Sequence, residues 1–318
     1  MSSVWNKIVG QHKAVERLQQ LAINNVHAFL FIGPEGCGKE DAARAFASVL
    51  ITGSDSATSR EADLITRGAF ADVIEVLREG AAVDKDEAEE IIRLASTTPT
   101  ESNVKVVIIH EVHLMRDSAA ARLLKTIEEP SEKVIFILLA DQLVPSLATI
   151  NSRCVVVNFM RLTNDIISET LCNEGIEQSV AIAAANVAAG NLPRARLLAA
   201  DERLAHRQEA FASVPFRLDG AGSTVANIVD ELVERIDEAS APLLEQHALE
   251  LKDLEARVSL TGERGSGRKA LQDRHKRQLR KFNTDELRSG LATVAATYHA
   301  QIIAPPPHPN ADKYMDAV

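Results

Sequence analysis

Gly33, Gly36, Gly38 and Lys39 fall in the pattern G-x-x-x-x-G-K within Gly33-Pro34-Glu35-Gly36-Cys37-Gly38-Lys39-Glu40. Glycines let successive backbone N–H groups converge on phosphate oxygens, a helix N-terminus adds positive potential, and a lysine brings a mobile charge. The chemistry assembled this way is the holding of a polyphosphate; an ordinary Gly-rich turn is the plainer alternative. The next position calls for Ser or Thr, whose hydroxyl would hold Mg²⁺, yet it carries Glu40. A carboxylate about 4 Å from a phosphate would be repelled by roughly 4 kcal/mol at an effective dielectric near 20.

A second pair stands at the end of the apolar run 104–109, where a nucleotide-hydrolysing site needs Asp-Glu: the Asp to orient Mg²⁺, the Glu to polarise water. Here the pair is His110-Glu111. Neutral imidazole is a poor partner for Mg²⁺, which prefers oxygen ligands. Two metal-handling positions have therefore changed, and efficient Mg²⁺-dependent hydrolysis is not expected. Weak or passive binding of ATP or ADP through Lys39 and the loop amides stays open. No cofactor is required by this reading. Cys37, Cys154 and Cys172 form no CxxC pair, so no zinc site or disulfide framework is expected either.

Such residues must be held by alternating strands and helices. The loop follows the apolar run Ala28–Ile32 and precedes a helix-forming run from Asp41. Further strands are expected near Asp72–Val76, at Val104–Ile109, Val134–Leu139 and Val155–Phe159; residues 8–25 read as a turn leading into an amphipathic helix, and helices are expected at 85–94 and 119–128. Residues 52–69 are small and polar and read as a loop with little structure of their own. The alternation predicts an α/β unit with a parallel sheet covered on both faces. Residues at the C-terminal strand ends, including His110 and Asp141, then face the ligand crevice.

Strand signals stop near residue 161. Ala-rich helices are expected over 163–200, with Gly190-Asn191-Leu192-Pro193 as a turn, and more helices over 203–300, broken near 262–267. Phe211, Phe216 and the Leu spacing at 243–254 read as core of that region. The Pro-rich tail from Ala304 cannot continue a helix and is expected to be mobile. The fold expected is thus α/β plus all-α: 1–160 a phosphate-loop domain, 161–203 and 204–303 helical regions, 304–318 a tail.

The chain has 318 residues, 46% of them hydrophobic and 25% charged, in keeping with a globular protein of two or three domains. No apolar run approaches about 18 residues, so no membrane span is expected, and the N-terminus lacks a signal pattern, which predicts a cytoplasmic location. A net charge of −10 argues against a surface coated in nucleic-acid contacts. The basic stretch 264–281 has two readings: contact with DNA phosphates, or the solvated or partner-facing side of a helix. No aromatic residue interleaves with it before Phe282, so base stacking is not indicated.

Several local sequences carry a resemblance. They are Val9-Gly10-Gln11, His27-Ala28-Phe29-Leu30-Phe31, the loop itself, Leu123-Leu124-Lys125-Thr126-Ile127-Glu128-Glu129-Pro130 and Thr149-Ile150-Asn151-Ser152-Arg153-Cys154. Over about residues 5–160 the chain resembles AAA+ clamp-loader subunits of bacterial DNA polymerase III. The likeness continues more weakly through Gly190–Ala195, where Arg194 is similar to the family's second sensor. The resemblance implies that 161–203 is a helical lid and 204–303 a helical collar for oligomerisation. It implies a hetero-pentameric ring with delta-type and gamma/tau-type subunits that places a sliding clamp on primed DNA in replication. It also implies that Arg153, in the family's Ser-Arg-Cys motif, reaches a neighbour's ATP in trans as an arginine finger; the plainer alternative is an Arg paired with a local carboxylate. A chain that keeps the group it lends while losing groups for its own site fits a non-hydrolysing stator. The other functional class is a hydrolysis-competent AAA+ ATPase, either a motor-type clamp-loader subunit or a helicase loader. Three departures from the family pattern bear on the site. Residues 50–70 lack the four-Cys zinc module of many members, Ala121 stands where Asn is frequent, and the first-sensor strand ends in Ala140-Asp141 rather than a hydroxyl residue.

Overall fold

The apolar runs become five parallel strands: β1 Ala28–Ile32, β2 Val73–Val76, β3 Lys105–Ile109, β4 Val134–Ala140 and β5 Val155–Asn158. The structure, a computed structural model, describes residues 3–24, 26–77, 83, 85–131, 133–201, 203–261 and 266–303. The strands lie in the order β2-β3-β4-β1-β5, which places β1 between β4 and β5. Register pairs Ile32 with Ala140 on one side and with Asn158 on the other. The loop after β1 therefore opens at the carboxyl edge between two strand ends, where open α/β sheets take their ligands.

Side-chain alternation along each strand divides the core in two. Phe29, Phe31, Val106, Ile108, Ile137 and Leu139 pack on one face, toward α1 (His12–Leu21), α2 (Lys39–Thr52) and α3 (Arg60–Thr66). Leu30, Val107, Ile109, Phe136 and Leu138 pack on the other, toward α4 (Lys85–Ala95), α5 (Asp117–Glu128) and the short α6 (Ala148–Asn151). Helices on both faces explain why these strands read as continuous apolar runs rather than as alternating ones. Phe29 meets Phe46 of α2 edge to face at 4.9 Å, so α2 and the loop before it are anchored on β1 by aromatic packing.

Helix α3 corrects the expectation of an unstructured loop over 52–69. The Ser59 hydroxyl accepts from the Ala62 N–H at 3.1 Å, Glu61 and Asp63 sit in the first turn, and Ala62 and Ile65 are buried. A capped turn with two apolar residues three apart is enough to fold a seven-residue helix against the core.

Asp72 fixes the entry to β2. Its carboxylate accepts from the Thr100, Glu101 and Ser102 N–H groups at 2.7, 2.8 and 2.8 Å, and from the Thr100 and Ser102 hydroxyls. Burial pushes this carboxyl up, but the backbone donors outweigh it and hold it at about 2. A carboxyl lowered from its unfolded value of 3.8 contributes stability that is present above pH ~4 and lost as pH falls towards ~2. Asp72→Asn is expected to flatten that acid limb and to cost on the order of 1–2 kcal/mol at pH 7. Denaturant titrations at pH 7 and pH 3 check it; an unchanged acid limb in the variant would refute the assignment.

Beyond β5 the chain is helical: α7 Asn164–Asn173, α8 Gln178–Ala188, α9 Leu192–Ala199, α10 Leu204–Arg217, α11 Gly222–Ala239, α12 Ala241–Thr261 and α13 Ser266–Ile303. The chain divides into two compact units, Met1–Ala195 and Arg196–Val318. The first joins the sheet to α7 and α8 of the expected lid. Within the second, Phe211 is buried and Gly290 of α13 lets it in: a Cβ there would lie 2.3 Å from its ring. Phe216 does not share that core, being 71% exposed; it follows Pro215 in the last turn of α10. Likewise Leu243 is buried while Leu244 and Leu249 are exposed, so only one face of α12 is core. Among the described residues of the basic stretch, Arg268 pairs with Glu255 of α12 at 3.2 Å and His275 with Glu250 at 2.9 Å. Arg264 and the tail 304–318 lie outside the described residues.

Candidate functional site

Gly38 caps α2 at φ 93°, a left-handed conformation that glycine adopts without a Cβ penalty. It turns the chain so that Lys39 opens the helix and projects into the loop. Gly36 is also left-handed, at φ 70°, and a Cβ on it would lie 2.2 Å from the Asn191 side chain. Gly33 needs its lack of a side chain for closeness instead: a Cβ there would meet Phe159 at 2.6 Å. The strand–loop–helix expected from the sequence is present.

Lys39 is 2% exposed, and three oxygens surround its ammonium. Asp141 Oδ1 lies at 2.8 Å and Glu40 Oε1 at 3.2 Å, while the Pro34 carbonyl accepts at 3.3 Å. Burial alone would pull this ammonium down; Glu40 first, then Asp141, carry it above its ordinary value. The charge that would meet a phosphate is thus answered inside the protein by two carboxylates. Burial pushes the neighbouring Cys37 thiol up to about 11, so it is no nucleophile near neutral pH.

His110 does not join this group through any bond to Lys39. Its Nε2 lies 3.3 Å from Glu75 Oε2 on β2, and Arg44 of α2 grips the same carboxylate with two bonds of 2.6 and 2.8 Å. Burial pushes the Glu75 carboxyl up, but His110 and Arg44 hold it at about 2. The position where a metal-orienting Asp was sought is therefore part of an Arg44–Glu75–His110 cluster. Glu111 follows in the left-handed region, at φ 52°, which costs a residue with a Cβ about 1–2 kcal/mol. It starts the tight turn Val112–Leu114, and that turn delivers His113 to the site. His113 Nδ1 accepts the Asp141 N–H at 3.1 Å, and its Nε2 lies 3.6 Å from Asp141 Oδ2.

The first turn of α9 sits on the loop. The Leu192 N–H donates to the Gly36 carbonyl at 3.1 Å, and Asn191 Oδ1 caps the helix by accepting the Arg194 N–H at 3.0 Å. Arg194 stands in this first turn of α9. From below, Gln11 donates to the Cys37 and Met160 carbonyls at 3.0 and 2.7 Å and accepts the Met160 N–H at 3.0 Å. One buried amide thereby ties the loop to the end of β5. The sequence reading placed Asp141 at the crevice but missed Glu75, Arg44, His113, Asn191 and the bridging role of Gln11.

Arg153 lies in the turn between α6 and β5, away from this cluster. Its Nε pairs with Glu128 of α5, and its Nη1 donates to the Thr149 carbonyl at 2.8 Å and the Ser152 hydroxyl at 3.0 Å. The side chain is 39% exposed. A partner carboxylate is thus present, on the surface, where an ion pair is worth about 0–1 kcal/mol.

Residues 10–163 match the family described as DNA polymerase III, delta subunit. The DNA polymerase III subunit tau of Bacillus subtilis (strain 168) is 37% identical over 172 residues, 51% of this chain and 30% of that protein. The delta' subunit of the same organism is 31% identical over 181 residues, 54% of this chain and 55% of that one. This chain spans about half or less of the length of these curated relatives. Among solved structures, a gamma-subunit-related protein of Thermotoga maritima aligns with 89% of this chain and 98% of its own, at 19% identity and a TM-score of 0.41. The Bacillus subtilis clamp loader delta protein aligns with 88% of this chain and 87% of its own, at 14% identity and a TM-score of 0.39.

Proposed function

From the match of residues 10–163 to the family described as DNA polymerase III, delta subunit, we propose that the chain is a delta-prime-type stator of a clamp loader. In this role it completes a ring with delta-type and gamma/tau-type subunits, hydrolyses no ATP itself, and lends Arg153 to ATP held by a neighbour. The ring's work is to place a sliding clamp on primed DNA. The observation that carries this reading is the state of Lys39: a buried phosphate-loop lysine whose charge is met by Asp141 and Glu40. Triphosphate brought there would face two carboxylates, with a glutamate where the Mg²⁺-holding hydroxyl belongs. Arg153, by contrast, is 39% exposed, and its ion pair with Glu128 lies at the surface.

The test is to measure Mg²⁺-dependent ATP hydrolysis by the isolated chain, then by a hydrolysis-competent tau-type subunit with and without it. A stator is expected to be silent alone and to raise DNA-dependent turnover on mixing. A chain that assembles yet changes nothing is a scaffold. The 37% identity to a tau subunit favours a second reading, an active motor-type ATPase. Robust turnover by the isolated chain, abolished by Lys39→Ala, would establish that reading and overturn the stator.

A further inference from the structure

We propose that Asp141 is an internal stand-in for a phosphate group, and that its hold on Lys39 closes the loop to nucleoside triphosphates. The inference rests on reading 33–39 as a phosphate loop, but not on the finger role of Arg153.

Position comes from the sheet. Ala140 is the register partner of Ile32, and the Gly33 N–H donates to the Ala140 carbonyl at 3.1 Å. One residue further on, Asp141 must therefore stand beside the start of the loop. His113 braces it by accepting its N–H. The carboxylate then reaches Lys39 at 2.8 Å, the length of a charge-assisted bond. An oxyanion is thus supplied to the loop lysine by the chain itself.

The second half of the argument is mechanical. A bound nucleotide would be one way to join the loop to the helices beyond β5. Here that join is made without one, by the Leu192 N–H on the Gly36 carbonyl and by Asn191 against Gly36. Gln11 adds the link to Met160. With Lys39 neutralised and the loop tied on two sides, the first unit holds one loop geometry whatever the nucleotide supply. Entry of a triphosphate requires Lys39 to leave Asp141, and the released carboxylate would then repel the incoming phosphates. Glu40 adds to the repulsion, but it lies on the helix itself and is one residue from Lys39. Asp141 comes from another strand, so the exclusion is assigned chiefly to it.

Asp141→Asn keeps the shape and an acceptor oxygen while removing the charge. The experiment is equilibrium binding of a fluorescent ATP analogue to the full chain, with circular dichroism and a thermal melt on each variant. The native chain is expected to bind in the millimolar range or not at all. Asp141→Asn is expected to bind at least tenfold tighter, Asp141→Ser to do likewise, and Lys39→Ala added to either to abolish the gain. Folded Asp141→Asn and Asp141→Ser variants that bind no tighter than the native chain would overturn the proposal. So would micromolar binding by the native chain, or a gain that survives Lys39→Ala. The stator reading is judged separately, by turnover of the mixed complex containing native Asp141, so either can fail while the other stands.

Discussion

Arg207→Met is expected to destabilise the helical unit by about 3–5 kcal/mol, as breaking a buried ion pair from one side does. Arg207 is 3% exposed. Its Nη1 pairs with Asp201 and its Nε donates to Glu286 at 3.1 Å, both carboxylates being nearly buried themselves. Removing the cation leaves two negative charges facing one position in a low-dielectric interior. The network is not optimal, because Nη2 is buried without a hydrogen-bond partner among the described residues. That imperfection sets the control. Replacing all three as Arg207→Met, Asp201→Asn and Glu286→Gln is expected to recover most of the loss, since an apolar or neutral replacement of a whole buried network is often close to neutral. Urea titrations of the full chain, reading the transition of the Arg196–Val318 unit, check both. A loss under 1 kcal/mol in the single variant, or a triple variant worse than the single, would contradict the account.

Arg207 also marks where sequence reading stops. Its partners are 6 and 79 residues away, and nothing in the run Ala205-His206-Arg207-Gln208 distinguishes a buried arginine from a solvated one. Only packing of α10 on α13 creates its environment. The same holds for Asp141: its place at a strand end was legible, but its bond to Lys39 follows from the β1–β4 register, which hydrophobicity alone does not specify. His110 was legible as a departure from Asp-Glu; its engagement with Glu75 and Arg44 required knowing that β2 lies beside β3. Strands were easily read because a parallel sheet covered on both faces makes most strand residues apolar. Helix α3 was missed despite a readable signal, Ser59 followed by acidic residues and by Ala62 and Ile65. The polar neighbours masked a two-turn element too short to show a full period. Phe216 was misplaced for the opposite reason: an aromatic at helical spacing was read as core, though Pro215 sits beside it near a helix end.

Arg153→Ala is expected to lower turnover at the neighbouring ATP site of an assembled complex by about 10³–10⁵, the range such fingers supply when they neutralise charge on a transferring phosphoryl group. Total DNA-dependent turnover then falls by that site's share, with the complex intact by gel filtration. The pairing with Glu128 does not oppose this role. A half-exposed ion pair is worth about 0–1 kcal/mol, whereas a finger lowers a barrier by about 4–7 kcal/mol when its fold-effect is converted at 1.36 kcal/mol per decade. Releasing Glu128 therefore costs at most about 1 kcal/mol against that lowering of the barrier. Two variants separate the finger from a local structural arginine. Glu128→Gln should leave turnover within about threefold of native, because it removes a pair worth at most about 1 kcal/mol. Arg153→Lys should restore little, because an ammonium lacks the planar fork that meets two phosphate oxygens. Native turnover with Arg153→Ala, or a loss with Glu128→Gln as large as with Arg153→Ala, would remove Arg153 from the chemistry and leave it as a clasp between α5 and the turn before β5.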